Sequence, residues 1–212
     1  MQLWPASRIE LRAQTAAAGT RSASSCTMVA PLPPSSRATR RKPLADLIAA
    51  PARLDPATDV GTLIDEAAAR RVEDWVQEAV VTGARIAVGG HRHGAAYEPT
   101  LLANLKPKMK VVCEEIFGPV VNVIAYKTPA DAFAAINDGP YGLQAGIFTR
   151  SNEVSFAAIR GLRVGGVIVN GSTTWRTDQL AYGGVKASGI GREGPRYAIE
   201  EMTEQRLIVF NL

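Results

Sequence analysis

The sequence predicts an α/β fold, a mostly parallel sheet with flanking helices. Three observations carry the prediction. Strand-like and helix-like segments alternate from Asp55 onwards, as in chains of βα units. The helical segments carry caps and first-turn residues of the right chemistry. Residues 166–170 are nearly continuously apolar, the pattern of a strand covered on both faces.

Each element follows from local chemistry. Asp65 is placed to cap a helix with an apolar face of Ala68, Val72, Val76, Ala79 and Val80, closed by Gly83. Residues 85–88 form a short strand that stops at Gly89-Gly90, and 99–103 a second extended piece. Residues 120–126 are a strand. Thr128-Pro129-x-Asp131 then supplies a cap, an N1 proline and a first-turn acid, and the helix stops at Asp138-Gly139-Pro140. Residues 144–148 form a strand, and 151–161 a helix with Val154, Ala158 and Leu162 on one side. A helix over 196–202 and a strand over 206–210 close the chain. Leu207-Ile208-Val209-Phe210 in that last strand is an aggregation hazard if left unpaired, so it pairs either with its own sheet or with another chain.

Composition is ordinary for a soluble globular protein, 46% hydrophobic and 21% charged. No run of 18 apolar residues exists to make a transmembrane helix. Cys26 and Cys113 cannot build a disulfide framework, which points to a reducing, cytoplasmic setting. The net charge of +4 is unevenly spread. Arg8, Arg12, Arg21, Arg37, Arg40, Arg41 and Lys42 face only Glu10, so the first 42 residues carry +6 and the remainder −2. This basic arm, residues 1–54, has three readings: a transit peptide, a nucleic-acid-binding arm, or a disordered segment. It lacks an amphipathic period and stacking aromatics, and Pro31, Pro33 and Pro34 interrupt it. Disorder is the expectation, with neither nucleic acid nor membrane as partner.

Two motifs carry chemistry. Glu114-Glu115-Ile116-Phe117-Gly118-Pro119 sets adjacent acids beside apolar groups, which calls for something outside the backbone to bind them. Tyr182-Gly183-Gly184-Val185-Lys186-Ala187-Ser188-Gly189-Ile190-Gly191-Arg192-Glu193 holds too many glycines for a helix or central strand, so it is an irregular loop, ordered or floppy. His91 and His93 lack further ligands at metal spacing and read as surface loop, so no metal is expected. Cys113 reads as a buried thiol.

In this order and at this distance the two motifs resemble the C-terminal part of the NAD(P)-dependent aldehyde dehydrogenases, over about residues 55–212. The resemblance implies the C-terminal part of that catalytic domain (55–203), followed by an oligomerisation strand (204–212). It implies NAD or NADP as cofactor, with Glu115 on the nicotinamide ribose and Phe117 against the nicotinamide. Two carboxylate oxygens suit two adjacent ribose hydroxyls. Glu193 takes the place of an active-site carboxylate. Ser172-Thr173-Thr174-Trp175-Arg176-Thr177-Asp178 corresponds to the family's substrate-anchoring loop. Trp175 and Tyr182 are candidates to wall the pocket, and Arg176 to hold the anionic tail of a small aldehyde. A salt bridge from Arg176 to Asp178 or another acid is the alternative. Thr174 to Gln179 is similar to phosphonoacetaldehyde-type members. The C-terminal strand implies a homo-oligomer or association with full-length subunits.

The chain also departs from the family pattern. A cysteine nucleophile is needed in a Gly-Gln-x-Cys context, followed by a strand, together with a glutamate base and a glycine-rich pyrophosphate turn. Cys26 lies in roughly the right zone. It follows Ala23-Ser24-Ser25, stands several residues too close to Glu115, and precedes prolines that should not enter a central strand. The Arg, Ala, Ser and Pro of the arm suit out-of-frame translation of GC-rich DNA, with the family's frame regained near Asp55. A Gly-Gln-x-Cys in another frame of the coding DNA is the expected trace; its absence there would refute the idea. On this reading the chain is a piece of the family's catalytic domain, inactive alone, or a non-catalytic module that pairs with intact subunits.

Overall fold

A computed structural model describes residues 60–211 and, as backbone strands only, 10–14 and 26–31. Seven strands form the main sheet: β1 (Glu10–Gln14), β2 (Cys26–Pro31), β3 (Arg85–Val88), β6 (Thr100–Ala103), β7 (Val120–Tyr126), β9 (Gln144–Phe148) and β10 (Gly166–Val169). Their order is β10-β9-β1-β2-β7-β6-β3. Two small ladders join β4 (Arg92–His93) to β5 (Ala96–Tyr97) and β8 (Tyr141–Gly142) to β11 (Val185–Lys186). The helices are α1 (Glu66–Val81), α2 (Lys110–Cys113), α3 (Pro129–Asp138), α4 (Asn152–Gly161) and α5 (Pro195–Met202).

The fold is α/β, but the sheet is mixed. β10–β9, β2–β7 and β6–β7 are parallel; β1–β9, β1–β2 and β3–β6 are antiparallel. The expectation of a mostly parallel sheet is corrected by the β1–β2 pair, which enters between β9 and β7 with β1 running against both β9 and β2. The pair's eleven residues belong to the arm, 1–54, the rest of which lies outside the described residues. Pro31, the first of the prolines, is the last residue of β2, opposite Tyr126 of β7, which corrects the expectation that none enters a central strand; a strand terminus tolerates it.

The helices form where their caps demand. Asp65 accepts from the Ala68 N–H at 2.7 Å, and Thr128 and Asp131 close a reciprocal capping box. α1 buries Ala69, Val72, Val76 and Ala79; its stripe begins at Ala69, not at the expected Ala68. One core packs α1 on Leu102, Ile116 and Val120. A second packs Phe133 and Ile136 of α3 and Ala158 of α4 against Ala145 and Ile147. Residues 203–211 form no strand, and Leu207, Ile208, Val209 and Phe210 are exposed. A strand exists only with a partner, and residues 203–211 pair with no described strand. No described helix is long and apolar enough to cross a membrane.

Candidate functional site

β2, β7, β9 and β10 run in one direction, and one row of register partners marks their N-terminal ends. Gly166 pairs with Gln144, Gln144 with Gln14, Gln14 with Cys26, and Cys26 with Val121. Three site segments arrive at this end of the sheet.

The first is the acidic turn, which feeds β7. α2 raises the chain to Glu114, and the Arg71 Nη2 of α1 donates to the Ile116 carbonyl at 2.8 Å. Ile116 is fully buried, and Gly118 packs so closely on Val72 that a Cβ there would stand 2.7 Å from Val72 Cγ2. Pinned on both sides, Phe117 takes φ 47°, left-handed backbone that is unusual for an aromatic residue, and the residue is 48% exposed. Glu115 Oε1 is buried with no hydrogen-bond partner. Burial pushes the Glu115 carboxyl above its ordinary pKa. A buried acceptor of this kind costs free energy until a donor meets it. Ribose hydroxyls are such donors and the Phe117 ring is open beside the same turn, so these residues fit a nicotinamide ribose. Gln144 Oε1, in the register row, is likewise buried without a partner.

The second segment is the backbone of Cys26, opposite Val121. Its side chain lies outside the described features.

The third is the substrate-side loop. After β10 the chain folds back over β9, where Gly146 passes within 2.9 Å of the Gly171 carbonyl, measured from where a Cβ would be. The glycine segment returns to the sheet end, with the Gly183 carbonyl only 1.7 Å from a would-be Cβ of Gly165. The loop is ordered. Arg192 Nη1 donates to the Gly184 and Gly191 carbonyls, and Lys186 Nζ to those of Asn137 and Gly139. Tyr182 and Glu193 exchange backbone hydrogen bonds of 3.0 and 2.6 Å. That bridge assembles a cluster in which Arg176 Nη2 meets Glu193 Oε2 at 2.9 Å and the guanidinium lies 4.6 Å over the Tyr182 ring. Burial, with Glu193 nearby and Arg176 opposing, raises the Tyr182 pKa.

Thus Arg176, Tyr182 and Glu193 come together, and Glu115 and Phe117 stand in the turn that leads into β7. Trp175 stays outside, 53% exposed, in a turn closed by its N–H to the Ser172 carbonyl. A cavity of about 210 Å³ beside the cluster is lined by Arg176, Thr177, Asp178, Leu180, Gly194 and Pro195. Sequence reasoning missed Leu180, Gly194 and Pro195; the N1 proline after Gly194 was the available signal. The acid that Arg176 meets is Glu193, not the neighbouring Asp178. His93 faces Glu98 at 3.7 Å, and no cluster of three metal-ligating side chains occurs among the described residues. Cys113 is partly exposed rather than buried.

Residues 41–208 match the family described as "Aldehyde dehydrogenase family". The chain belongs to the aldehyde dehydrogenase family. The match begins ahead of Asp55, so the family pattern reaches into the last residues of the arm. The chain is 50% identical to a 3-sulfolactaldehyde dehydrogenase of Priestia megaterium over 159 residues, covering 75% of this chain and 33% of that protein. A lactaldehyde dehydrogenase of Methanococcus vannielii is 39% identical over 158 residues, 74% of this chain and 34% of its own length. Among solved structures, aldehyde dehydrogenase 21 of Physcomitrella patens, in complex with the reaction product succinate, superposes with TM-score 0.69 at 44% identity. It covers 71% of this chain and 31% of its own. The glyceraldehyde-3-phosphate dehydrogenase GapN of Methanocaldococcus jannaschii, complexed with NADP, superposes with TM-score 0.67 at 38% identity, covering 70% and 32%. This chain spans about a third of the curated aldehyde dehydrogenases it matches.

Proposed function

We propose that this chain supplies the C-terminal share of an aldehyde dehydrogenase active site, specific for a small aldehyde with an anionic tail. Glu115 accepts the nicotinamide-ribose hydroxyls, and Phe117 packs against the nicotinamide. Bound NAD or NADP would supply the electron acceptor. Arg176, steadied by Tyr182, receives the tail; Trp175 shapes the entrance; Glu193 is the carboxylate of the substrate side. The observation that carries the reading is the buried, unpartnered Glu115 Oε1 at the sheet end that also holds the Arg176 cluster. The names of the relatives support an anionic substrate: sulfolactaldehyde and glyceraldehyde-3-phosphate are anions, as is bound succinate, although lactaldehyde is neutral.

On this reading the 212-residue chain alone does not turn over aldehydes. By the family resemblance, the glutamate base, the pyrophosphate turn and a nucleophile in its proper context would fall outside the third that this chain matches. The basic arm then stands as an out-of-frame replacement for part of that outlying sequence. The test of substrate class is Arg176→Leu in a chain completed with its nucleotide-binding domain. It should lower kcat/KM for a sulfonate- or carboxylate-bearing aldehyde at least tenfold more than for propanal. Equal losses would leave Arg176 a structural role.

One observation favours a second reading, an interaction module. Leu207, Ile208, Val209 and Phe210 lie open to solvent, as an apolar strand awaiting an edge would. Association with full-length subunits through residues 204–212, in a cytoplasmic setting, is compatible with the first reading and does not require activity.

A further inference from the structure

We propose that Glu193 is a built-in competitor for the anion site of Arg176. In the unliganded protein it holds the guanidinium, and it yields when a sulfonate, phosphonate or carboxylate tail arrives. The inference rests on the reading of Arg176 as receptor for that tail.

Arg176 is held from two sides, by Glu193 Oε2 at 2.9 Å and by the Tyr182 ring at 4.6 Å. The acid and the ring do not meet there by side-chain flexibility alone. Their residues share a two-bond backbone bridge, so acid, ring and guanidinium form one unit. Chemically, the Glu193 carboxylate is what an anionic tail would be: paired oxygens with a full charge presented to a planar donor fork. Both side chains are substantially exposed, 45% for Arg176 and 62% for Glu193. An ion pair this open is weak in water, so an incoming anion can displace it and leave no charge stranded in the core.

The ~210 Å³ cavity is lined by Arg176 and has room for a small oxyanion headgroup. Asp178 lines it as well and works against anions that fail to reach Arg176. Exchange couples two events, because the arrival of the tail frees the Glu193 carboxylate. The apparent affinity of the site is then its intrinsic affinity reduced by the fraction of time Glu193 is off. An aldehyde without a charged tail has no means of releasing Glu193.

The test titrates the 212-residue chain, labelled at its arginine side chains and backbone amides, with methanesulfonate and with neutral dimethyl sulfone, following the Arg176 Nε–H signal by NMR. Wild type should respond saturably to methanesulfonate and not to the sulfone. Glu193→Gln keeps the backbone bridge and the size, and should bind methanesulfonate roughly two- to five-fold more tightly, the range for release of an exposed ion pair. Arg176→Gln, followed in all chains alike through the Thr177 backbone amide, should lose the saturable shift, and a shift retained there would overturn Arg176 as receptor. Glu193→Asp, with its shorter reach, should tighten binding less than Glu193→Gln, and decides by the same sign if the latter does not fold. Binding that is unchanged or weaker in the Glu193 variants overturns the competitor while leaving Arg176 as receptor. No saturable response in any chain overturns both.

Discussion

Gly118→Ala tests how the acidic turn is held. The new Cβ would stand 2.7 Å from Val72 Cγ2 and 3.2 Å from Cγ1, inside the packing distance of carbon on carbon. Val72 cannot move aside cheaply. It is fully buried in α1, and a β-branched residue in a helix has one strongly preferred χ1 rotamer. Either the helix shifts or the turn lifts, and the Arg71–Ile116 hydrogen bond of 2.8 Å loosens with it. Overpacking of this kind costs about 1–3 kcal/mol. Val72→Ala alone removes two buried methyl groups, roughly 1.6 kcal/mol of transfer free energy plus a cavity contribution, for about 2–3 kcal/mol. In the double variant the alanine methyl enters the space the valine methyls leave. Its destabilisation should therefore fall short of the sum by on the order of 1 kcal/mol. Urea unfolding followed by fluorescence and far-ultraviolet circular dichroism measures all three variants. A Gly118→Ala chain within about 0.5 kcal/mol of wild type, with an additive double variant, would refute the packing argument.

Two predictions concern pH. Tyr97 is fully buried, and burial, opposed by Thr100, pushes its pKa up to about 12. The folded state then holds the phenolic proton where the unfolded chain releases it. Stability from this group is fully present below about pH 10 and is lost as pH rises towards 12, and Tyr97→Phe should flatten that part of the profile. Glu115 has a raised pKa for the same reason, so the folded chain favours its protonated form. Unfolding free energy should fall as pH rises through that raised value. Glu115→Gln should therefore be neutral in acid and stabilising at pH 7, where a loss of stability would contradict the unpartnered carboxylate.

Much of the fold was legible because its signals are local. The strand spans of β3, β7 and β9 and the caps of α1, α3 and α4 follow from side chains within a few residues of each boundary. Where order depends on distant partners, local reading failed. β1 and β2 lie in an aperiodic, arginine-rich stretch and exist through pairing with β9 and β7. α2 has no side-chain cap, and β8 and β11 are two residues each. The apolar run 207–210 reads as a strand but finds no partner among the described residues. At the site, the Glu115 turn was visible as acids beside apolar residues. The Arg176–Glu193 pair was not, because the Tyr182–Glu193 bridge and the glycine loop bring them together across a long stretch of chain.

The most direct test of the account is NADH or NADPH formation by the purified 212-residue chain, offered propanal and aldehydes bearing sulfonate, phosphate or carboxylate tails. Loss of a nucleophile or a base typically lowers the rate by orders of magnitude, and a cofactor held only by Glu115 and Phe117 would bind weakly. No turnover is expected with either cofactor. Turnover that Cys26→Ser abolishes would contradict it, and would make Cys26, whose backbone stands at the same sheet end as the Glu115 turn, the working nucleophile.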